Sequence, residues 1–252
     1  MITTALTPAT SNLPTVYKPI EDVEGLEGFD RSDVTIPRRS IIQPTSDKNR
    51  GELGSFFDNL TGEAIPEMEV IILRISKSRA LWTPGENRSK NPECRSNDSI
   101  HGCTVGENPV ERLCTQCEYN PDVNQSLWDK ATFNPRVHRR CPEQRDFLCI
   151  DYADGSMFQL TAKGMSVKSI KPIISLFANT RKPVYSAIIK LWAQLDPDGT
   201  YCMLKGQKVR WLEGEELGGA KEMFDMMRGV EIKDIDADDT GNVDTHADNA
   251  PF

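Results

Sequence analysis

Histidine is scarce in this sequence of 252 residues, where only His101, His138 and His246 occur. Because proton transfer in enzymes most often uses His, this scarcity argues against a His-based active site. The sequence also lacks a P-loop, a dinucleotide-binding glycine fingerprint and a G-x-S-x-G nucleophile motif. We therefore expect a protein that is not an enzyme.

Long apolar runs are absent as well, and none approaches the roughly 20 residues that a membrane helix needs. Residues 1–19 have neither a basic start nor an apolar stretch, so they do not predict a signal peptide. Hydrophobic residues make up only 38% of the chain, which favours disordered ends. The sequence thus predicts a cytoplasmic protein that has no membrane partner.

Composition divides the chain into three predicted segments. These are a flexible N-terminal arm over residues 1–30, a core over 31–229 and a disordered acidic tail over 230–252. The formal net charge is −8, and residues 231–252, with seven Asp or Glu and one Lys, contribute −6 of it. The remaining −2 leaves a body close to neutral, in which basic residues can form a local patch.

Alternating apolar residues predict several strands and few helices. The strand patterns cover residues 67–82, 147–152, 157–162, 184–195 and 201–211. Helical spacing covers 166–180 and 214–227, and residues 47–62 have a helical or turn-like spacing. This order predicts a mainly β, α+β fold, namely an OB-like barrel or curved sheet with a large loop insertion at about 84–142.

Seven cysteines in a chain of cytosolic type indicate metal ligands and core thiols rather than disulfides. The insertion has no hydrophobic periodicity, so something other than an apolar core has to order it. Its C-x₂-C knuckle can bind Zn²⁺ from a tight turn. The predicted ligands of a structural zinc are Cys94, Cys114, Cys117 and Cys141, with Cys103 or His138 as alternatives for one position.

Basic residues accompany a Trp on three of the predicted strands. A groove for single-stranded nucleic acid needs cations for the phosphates and rings on which bases stack. Any one of these rings could instead belong to the core, so the interpretation depends on the whole set. The predicted contacts are Arg74, Lys77, Arg79, Trp82, Arg139, Arg140, Lys190, Trp192, Lys205, Lys208, Arg210 and Trp211.

The acidic tail ends on Pro251-Phe252. A terminal Phe combines a ring with a carboxylate, which suits a pocket with an apolar floor and a basic rim. The ending resembles the C-terminal tails of bacterial and phage single-stranded DNA-binding proteins. This resemblance implies that the tail competes with DNA for the groove and recruits replication or recombination proteins, with Asp238, Asp239, Pro251 and Phe252 as predicted contacts.

A second resemblance lies in the cysteine region, where Cys94-Arg-Ser-Asn-Asp98, the knuckle and a lone Cys before a strand are similar to zinc-bearing phage proteins. That pattern has Pro after the knuckle and Gly after the Asp, where this chain has Glu118 and Ser99. Together the resemblances imply a phage-type, zinc-containing single-stranded DNA-binding protein that acts in the host cytoplasm. Two other interpretations stay open: a zinc-ribbon interaction module of a transcription or replication complex, and a structural virion protein.

Overall fold

The computed structural model describes residues 35–82, 92–105, 108–128 and 141–228. The predicted arm and the predicted tail, with Asp238, Asp239, Pro251 and Phe252, lie outside these ranges. The same is true of His138, Arg139 and Arg140.

The described residues form eleven strands and three α-helices. These are β1 (Arg38–Ile41), β2 (Phe56–Asp58), β3 (Ala64–Ile65), β4 (Glu67–Leu81), β5 (Cys94–Ser96), β6 (His101–Thr104), β7 (Glu111–Leu113), β8 (Glu143–Asp151), β9 (Met157–Ala162), α1 (Met165–Ser169), α2 (Lys171–Thr180), β10 (Ala187–Leu195), β11 (Cys202–Trp211) and α3 (Gly214–Met227). None of these helices is long and apolar enough to cross a membrane. Residues 47–62 contain the short strand β2 and no α-helix, so the alternative of a turn-like segment is the better description.

Five antiparallel strands form the centre of the fold. β4 pairs with β8 and β10, β8 also pairs with β9, and β10 also pairs with β11. α1 and α2 connect β9 to β10. This is the connectivity of an OB-type five-stranded Greek-key barrel, which is commonly partly open. The prediction of a mainly β, α+β fold built on an OB-like curved sheet is confirmed.

Alternation along β4 produces two apolar layers. Val70 and Ile72 face the interior core, whereas Ile71 and Leu73 face outward and pack beneath α3. The interior core contains Phe147, Phe158 and Phe177, which the sequence pattern assigns to it. Each such side chain contributes about 1.5–3 kcal/mol through removal of its surface from water.

A bulge interrupts β4 between Ile72 and Arg74, where the register with β8 shifts. Bulges re-aim the side chains that follow them. Beyond this one, Ile75 packs against the interior core, while Arg74 and Ser76 face outward. The second half of β4 therefore presents a polar outer surface that α3 does not cover.

The predicted insertion is attached to the end of β4. β5 pairs with Arg79–Leu81, and β6 and β7 continue the sheet from there. On the other side, β1 pairs in parallel with β9 and brings Arg38 beside Gln159. The outer surface of β4, β8 and β9 thus lies between the insertion and β1.

Candidate nucleic-acid interface

A groove crosses the outer surface of β4, β8 and β9. Outward positions of these strands supply its floor with Ser, Thr, Gln and Asp side chains and with the apolar Leu148, while inward positions such as Phe158 and Leu160 hold the core. The lining residues are Arg38, Arg74, Ser76, Ser78, Arg79, Ala80, Trp82, Arg95, Asn97, Gln144, Asp146, Phe147, Leu148, Gln159, Thr161 and Lys163.

Five of the residues that line the groove are basic and only Asp146 is acidic. Asp146 already accepts a hydrogen bond of 2.6 Å from the Thr161 hydroxyl. Burial lowers the pKa of the Arg74 guanidinium, against the opposing effect of Asp146. Since Arg remains protonated in proteins, Arg74 holds its positive charge in a place where solvent screens it less.

Trp82 lies half-buried at the groove, directly after β4 ends. A ring in this position can stack on a base, an interaction of about 1–3 kcal/mol. Of the predicted contacts, Arg74, Arg79 and Trp82 line the groove.

Arg79 has a different environment from the predicted one. Its side chain is only 4% exposed and contacts the Asp122 carboxylate. The guanidinium also donates hydrogen bonds to Asn120 Oδ1 at 2.8 Å and to the Cys141 carbonyl oxygen at 2.9 Å. We therefore reassign Arg79 from phosphate contact to attachment of the insertion to the barrel.

Lys77 and Lys190 form ion pairs on the surface. Lys77 Nζ lies 3.3 Å from Glu143, on the face of β4 opposite to Arg74, and Lys190 Nζ lies 2.6 Å from Glu67. Exposed pairs of this kind contribute about 0–1 kcal/mol. Neither lysine lines the groove.

Trp192 and Lys205 are cross-strand neighbours on β10 and β11. Trp192 also pairs with Glu67 at the start of β4. α3 packs on Ile71 and Leu73, the part of β4 that lies between Glu67 and the groove. The predicted contacts Trp192 and Lys205 are therefore separate from the groove.

Trp211 packs against the interior core, with its ring 6.1 Å from that of Phe177 in an edge-to-face arrangement. Lys182 and Lys208 lie 4.1 and 5.4 Å from the ring centroid of Trp211, so the predicted Lys208 contact is a cation–π neighbour here. The predicted sheet of three stacking Trp rings is thus not assembled, since only Trp82 lines the groove.

Arg210 connects β11 to α3. Its guanidinium binds both oxygens of Glu216 at 2.7 Å and donates to the Tyr152 hydroxyl at 3.0 Å. The Glu216 hydrogen bonds raise the pKa of Arg210, despite the opposing effect of burial. We reassign Arg210 from phosphate contact to the docking of α3.

Arg38 and Arg95 are groove residues that the sequence reasoning missed. Each belongs to a strand of three or four residues, which is too short to show alternation. Gln144 and Gln159 were also missed. Gln159 carried a usable signal, because it alternates with the core residues Phe158 and Leu160 on β9, whereas Gln144 lies between the charged Glu143 and Arg145 on β8.

The four predicted zinc ligands line one small cavity in the insertion. Cys94 lies on β5, Cys114 and Cys117 flank a tight 3-10 turn, and Cys141 precedes β8. The cavity has a volume of about 20 Å³, which is room for a single small species. Gly102 borders it, where an added Cβ would lie 3.1 Å from the Cys94 sulfur.

Four sulfur donors are the ligand type that a thiophilic cation such as Zn²⁺ prefers. Burial raises the pKa of Cys141 to about 12, against the effect of Arg79, and burial with neighbouring thiols also raises the pKa of Cys94. Within the described residues no three donor groups already stand in metal-binding geometry, so the thiols would have to move together to hold an ion. Cys103 pairs with Arg95 across the β5–β6 hairpin and does not line the cavity.

The loop between β5 and β6 is held by Asp98, which accepts hydrogen bonds from the backbone N–H groups of Ile100 and His101, each at 2.7 Å. Burial acts to raise the pKa of Asp98, but hydrogen bonds from His101 and its neighbours outweigh it and hold that pKa well below the usual range. Ser99 has a φ of 61°, in the left-handed region that favours Gly. The Gly of the resembling phage pattern falls at this position.

The chain matches no known family model, no curated protein and no solved structure. The geometry of the groove and of the cysteine cavity therefore carries the functional argument.

Proposed function

We propose that this protein binds single-stranded DNA without sequence preference, as a non-enzymatic component of phage-type replication or recombination. The observation that carries the proposal is the basic groove over β4, β8 and β9, which ends at Trp82. In OB-type barrels this face and the loop between the first two strands bind oligonucleotides. Here that loop is the cysteine-containing insertion, which supplies Arg95 and Asn97 to the groove.

The mechanism of binding follows from how the groove is lined. Arg38, Arg74, Arg95 and Lys163 neutralise phosphates, and Trp82 stacks on a base. Each neutralised phosphate of a single strand releases counterions and adds about −0.7 to the slope of log K against log salt. Four such contacts correspond to a slope of about −3, which is a steep loss of affinity with salt.

We also propose that Cys94, Cys114, Cys117 and Cys141 hold a structural Zn²⁺. The support is that all four thiols border one small cavity. Bound zinc would order the insertion and would have no open position for a reacting water. Its role is therefore to shape one wall of the groove.

For the tail we keep the role implied by the resemblance. Asp238, Asp239, Pro251 and Phe252 would recruit replication or recombination proteins. The support is electrostatic, because residues 231–252 carry a net charge of −6 while the groove is basic. Such a segment can occupy the groove when DNA is absent and dock on partners when DNA displaces it.

The test is a fluorescence titration of the full chain with oligo-dT over a range of salt concentrations. We expect Trp quenching, a slope of about −3, and tighter binding at low salt after deletion of residues 231–252. Absence of binding at low salt, both with and without the tail, would overturn the proposal. A duplex of matched length serves as the control ligand and should bind more weakly.

An interaction module is the second candidate function. The described part of the insertion exposes five aliphatic side chains, each 44–53% exposed: Ile100, Val105, Val110, Leu113 and Val123. Exposed apolar clusters often mark protein contacts. This candidate predicts weak affinity for oligo-dT and capture of a partner protein, which Ile100→Ser should abolish. The remaining alternative, a structural virion protein, predicts large stable oligomers.

A further inference from the structure

Two glutamines lie on the floor of the groove, and their side-chain amides have no hydrogen-bond partner among the described residues. Gln144 is 8% exposed and Gln159 is 7% exposed. Only their backbone groups have partners: the Gln144 carbonyl accepts from Arg145, and the Gln159 N–H donates to Pro37. Neither side-chain amide hydrogen-bonds to another residue in the part of the chain that the structure describes.

The two amides are directed into the groove and are not sealed in the core. Both residues line the groove. Within the described ranges, neither has a fully buried side-chain polar atom that lacks a hydrogen-bond partner. Their polar neighbour Thr161, by contrast, is bonded to Asp146. A mostly buried amide without a protein partner is costly unless water or a ligand completes its hydrogen bonds.

The strand register places the two amides at different positions along the groove. Gln144 lies opposite Ser78, and Gln159 lies opposite Leu148. Gln144 and Leu148 are four residues apart on β8, so the amides are separated by about 13 Å along the strand direction. Trp82 lies at the Gln144 end, four residues beyond Ser78. The groove therefore offers two separate hydrogen-bonding positions and a stacking ring.

We infer that Gln144 and Gln159 bind the Watson–Crick edges of unpaired bases, and so limit the ligand to nucleic acid whose bases are unpaired. This inference rests on the proposed function and deepens it. A Gln amide has one acceptor and two donors, so it can pair with the donor–acceptor edge of any base. Sequence tolerance follows from that versatility, whereas a duplex is excluded because its base edges are already paired.

The test compares two oligomers on the full chain: oligo-dT, and an oligomer of equal length that carries difluorotoluene, a thymine-shaped ring without hydrogen-bonding groups. We expect the wild type to prefer oligo-dT by about tenfold or more, since a well-made hydrogen-bond pair corresponds to about that factor. The variant Gln144→Met/Gln159→Met should bind both oligomers with equal affinity, at an unchanged salt slope. Met keeps the length of the side chain and removes only the amide.

Gln207→Met provides the matched control, because Gln207 is exposed on β11 and does not line the groove. It should retain the preference for oligo-dT. Equal wild-type affinity for the two oligomers, or a preference that persists in the double variant, would overturn the inference and leave the salt-dependent groove intact. No wild-type binding to either oligomer would instead overturn the proposed function itself.

Folding of the double variant is checked by its thermal transition. If it does not fold, the single variants Gln144→Asn and Gln159→Asn take its place, because they keep the amide and withdraw it from the base. We expect each to reduce the preference for oligo-dT severalfold, and an unchanged preference in both would overturn the inference.

Discussion

The buried Arg79 guanidinium donates a hydrogen bond of 2.9 Å to the main-chain carbonyl oxygen of Cys141, one of the four clustered thiols. Arg79 and Arg95 line both the cysteine cavity and the groove. On β5, Arg95 directly follows Cys94. The order of the cysteine cluster and the shape of the proposed DNA site are therefore coupled.

Removal of the metal should consequently weaken DNA binding. We expect one Zn²⁺ per chain, and about a tenfold loss of oligo-dT affinity after treatment with a thiol-competent chelator, because Arg95 and Asn97 lose their fixed positions. Metal content by mass spectrometry and the fluorescence titration provide the two readouts. Cys114→Ser should reproduce the loss, whereas Cys103→Ser, outside the cavity, should retain both metal and affinity. Full affinity in metal-free protein would contradict the coupling.

Replacement of Trp82 by Ala should weaken oligo-dT binding by about 1–3 kcal/mol, the value of one base stack. The salt slope should not change, because no cation is removed. Trp192→Ala is the matched control and should bind oligo-dT as the wild type does, since Trp192 is separated from the groove by α3. Equal losses in the two variants would show that Trp82 has no particular role.

Arg39 should be a major determinant of stability. Its guanidinium is buried, donates to Asp58 at 2.9 Å and contacts Asp151, and so joins β1 and β2 to the barrel. Arg39→Met leaves two buried carboxylates without their cation, which typically costs about 3–5 kcal/mol. Urea unfolding followed by circular dichroism measures this change. Lys77→Met, which breaks an exposed pair, should cost less than about 1 kcal/mol.

Ser99→Gly should stabilise the insertion. Ser99 adopts a left-handed backbone conformation, and its buried hydroxyl has no partner among the described groups. Gly removes both the backbone strain and the unsatisfied hydroxyl, and this benefit should exceed the entropic cost of ordering Gly. We expect the free energy of unfolding to rise by about 1 kcal/mol. Ser99→Ala, which removes the hydroxyl and keeps the backbone strain, should gain less in the same unfolding experiment. A destabilised Gly variant would refute this account.

The docking of α3 should weaken in acid. Hydrogen bonds from Arg210, the larger effect, and from Tyr152 lower the pKa of Glu216 below its ordinary 4.5, although burial opposes them. A carboxylate with a lowered folded-state pKa stabilises the fold above its unfolded pKa, and this contribution disappears as the pH falls through the folded value. The stability difference between wild type and Glu216→Gln should therefore be largest near pH 7 and shrink below about pH 4.5. A difference that does not vary with pH would contradict this role.

Local patterns were sufficient for the strands and for the grouping of four cysteines around one cavity. Period-two alternation identified β4 and β8–β11, and the core positions of Phe147 and Phe158 followed from it. The C-x₂-C spacing brought Cys114 and Cys117 together, and the flanking Cys94 and Cys141 line the same cavity. The strands depend on one apolar periodicity and the knuckle on residues close in sequence, which is why both can be inferred from a single chain.

Which residues line the groove could not be inferred from the sequence in the same way. Without the bulge between Ile72 and Arg74, period-two alternation would place Arg74 on the same face as Val70 and Ile72, and no sequence periodicity marks a bulge. Arg38 lies at the groove because β1 pairs in parallel with β9, and these two strands are distant in sequence. α3 packs between the groove and Trp192, which divides a predicted single surface into two.

The sequence by itself determined which segments form strands, which four cysteines are grouped around one cavity and how much charge the tail carries. Only the tertiary structure decided which cations face one groove, because side-chain direction depends on register, bulges and the placement of α3. It also placed Gln144 and Gln159 on the groove floor, with side-chain amides that have no partner in the part of the chain that the structure describes. Both residues are ordinary polar positions in the sequence, and the role proposed for them depends on neighbours in space that leave their amides unsatisfied.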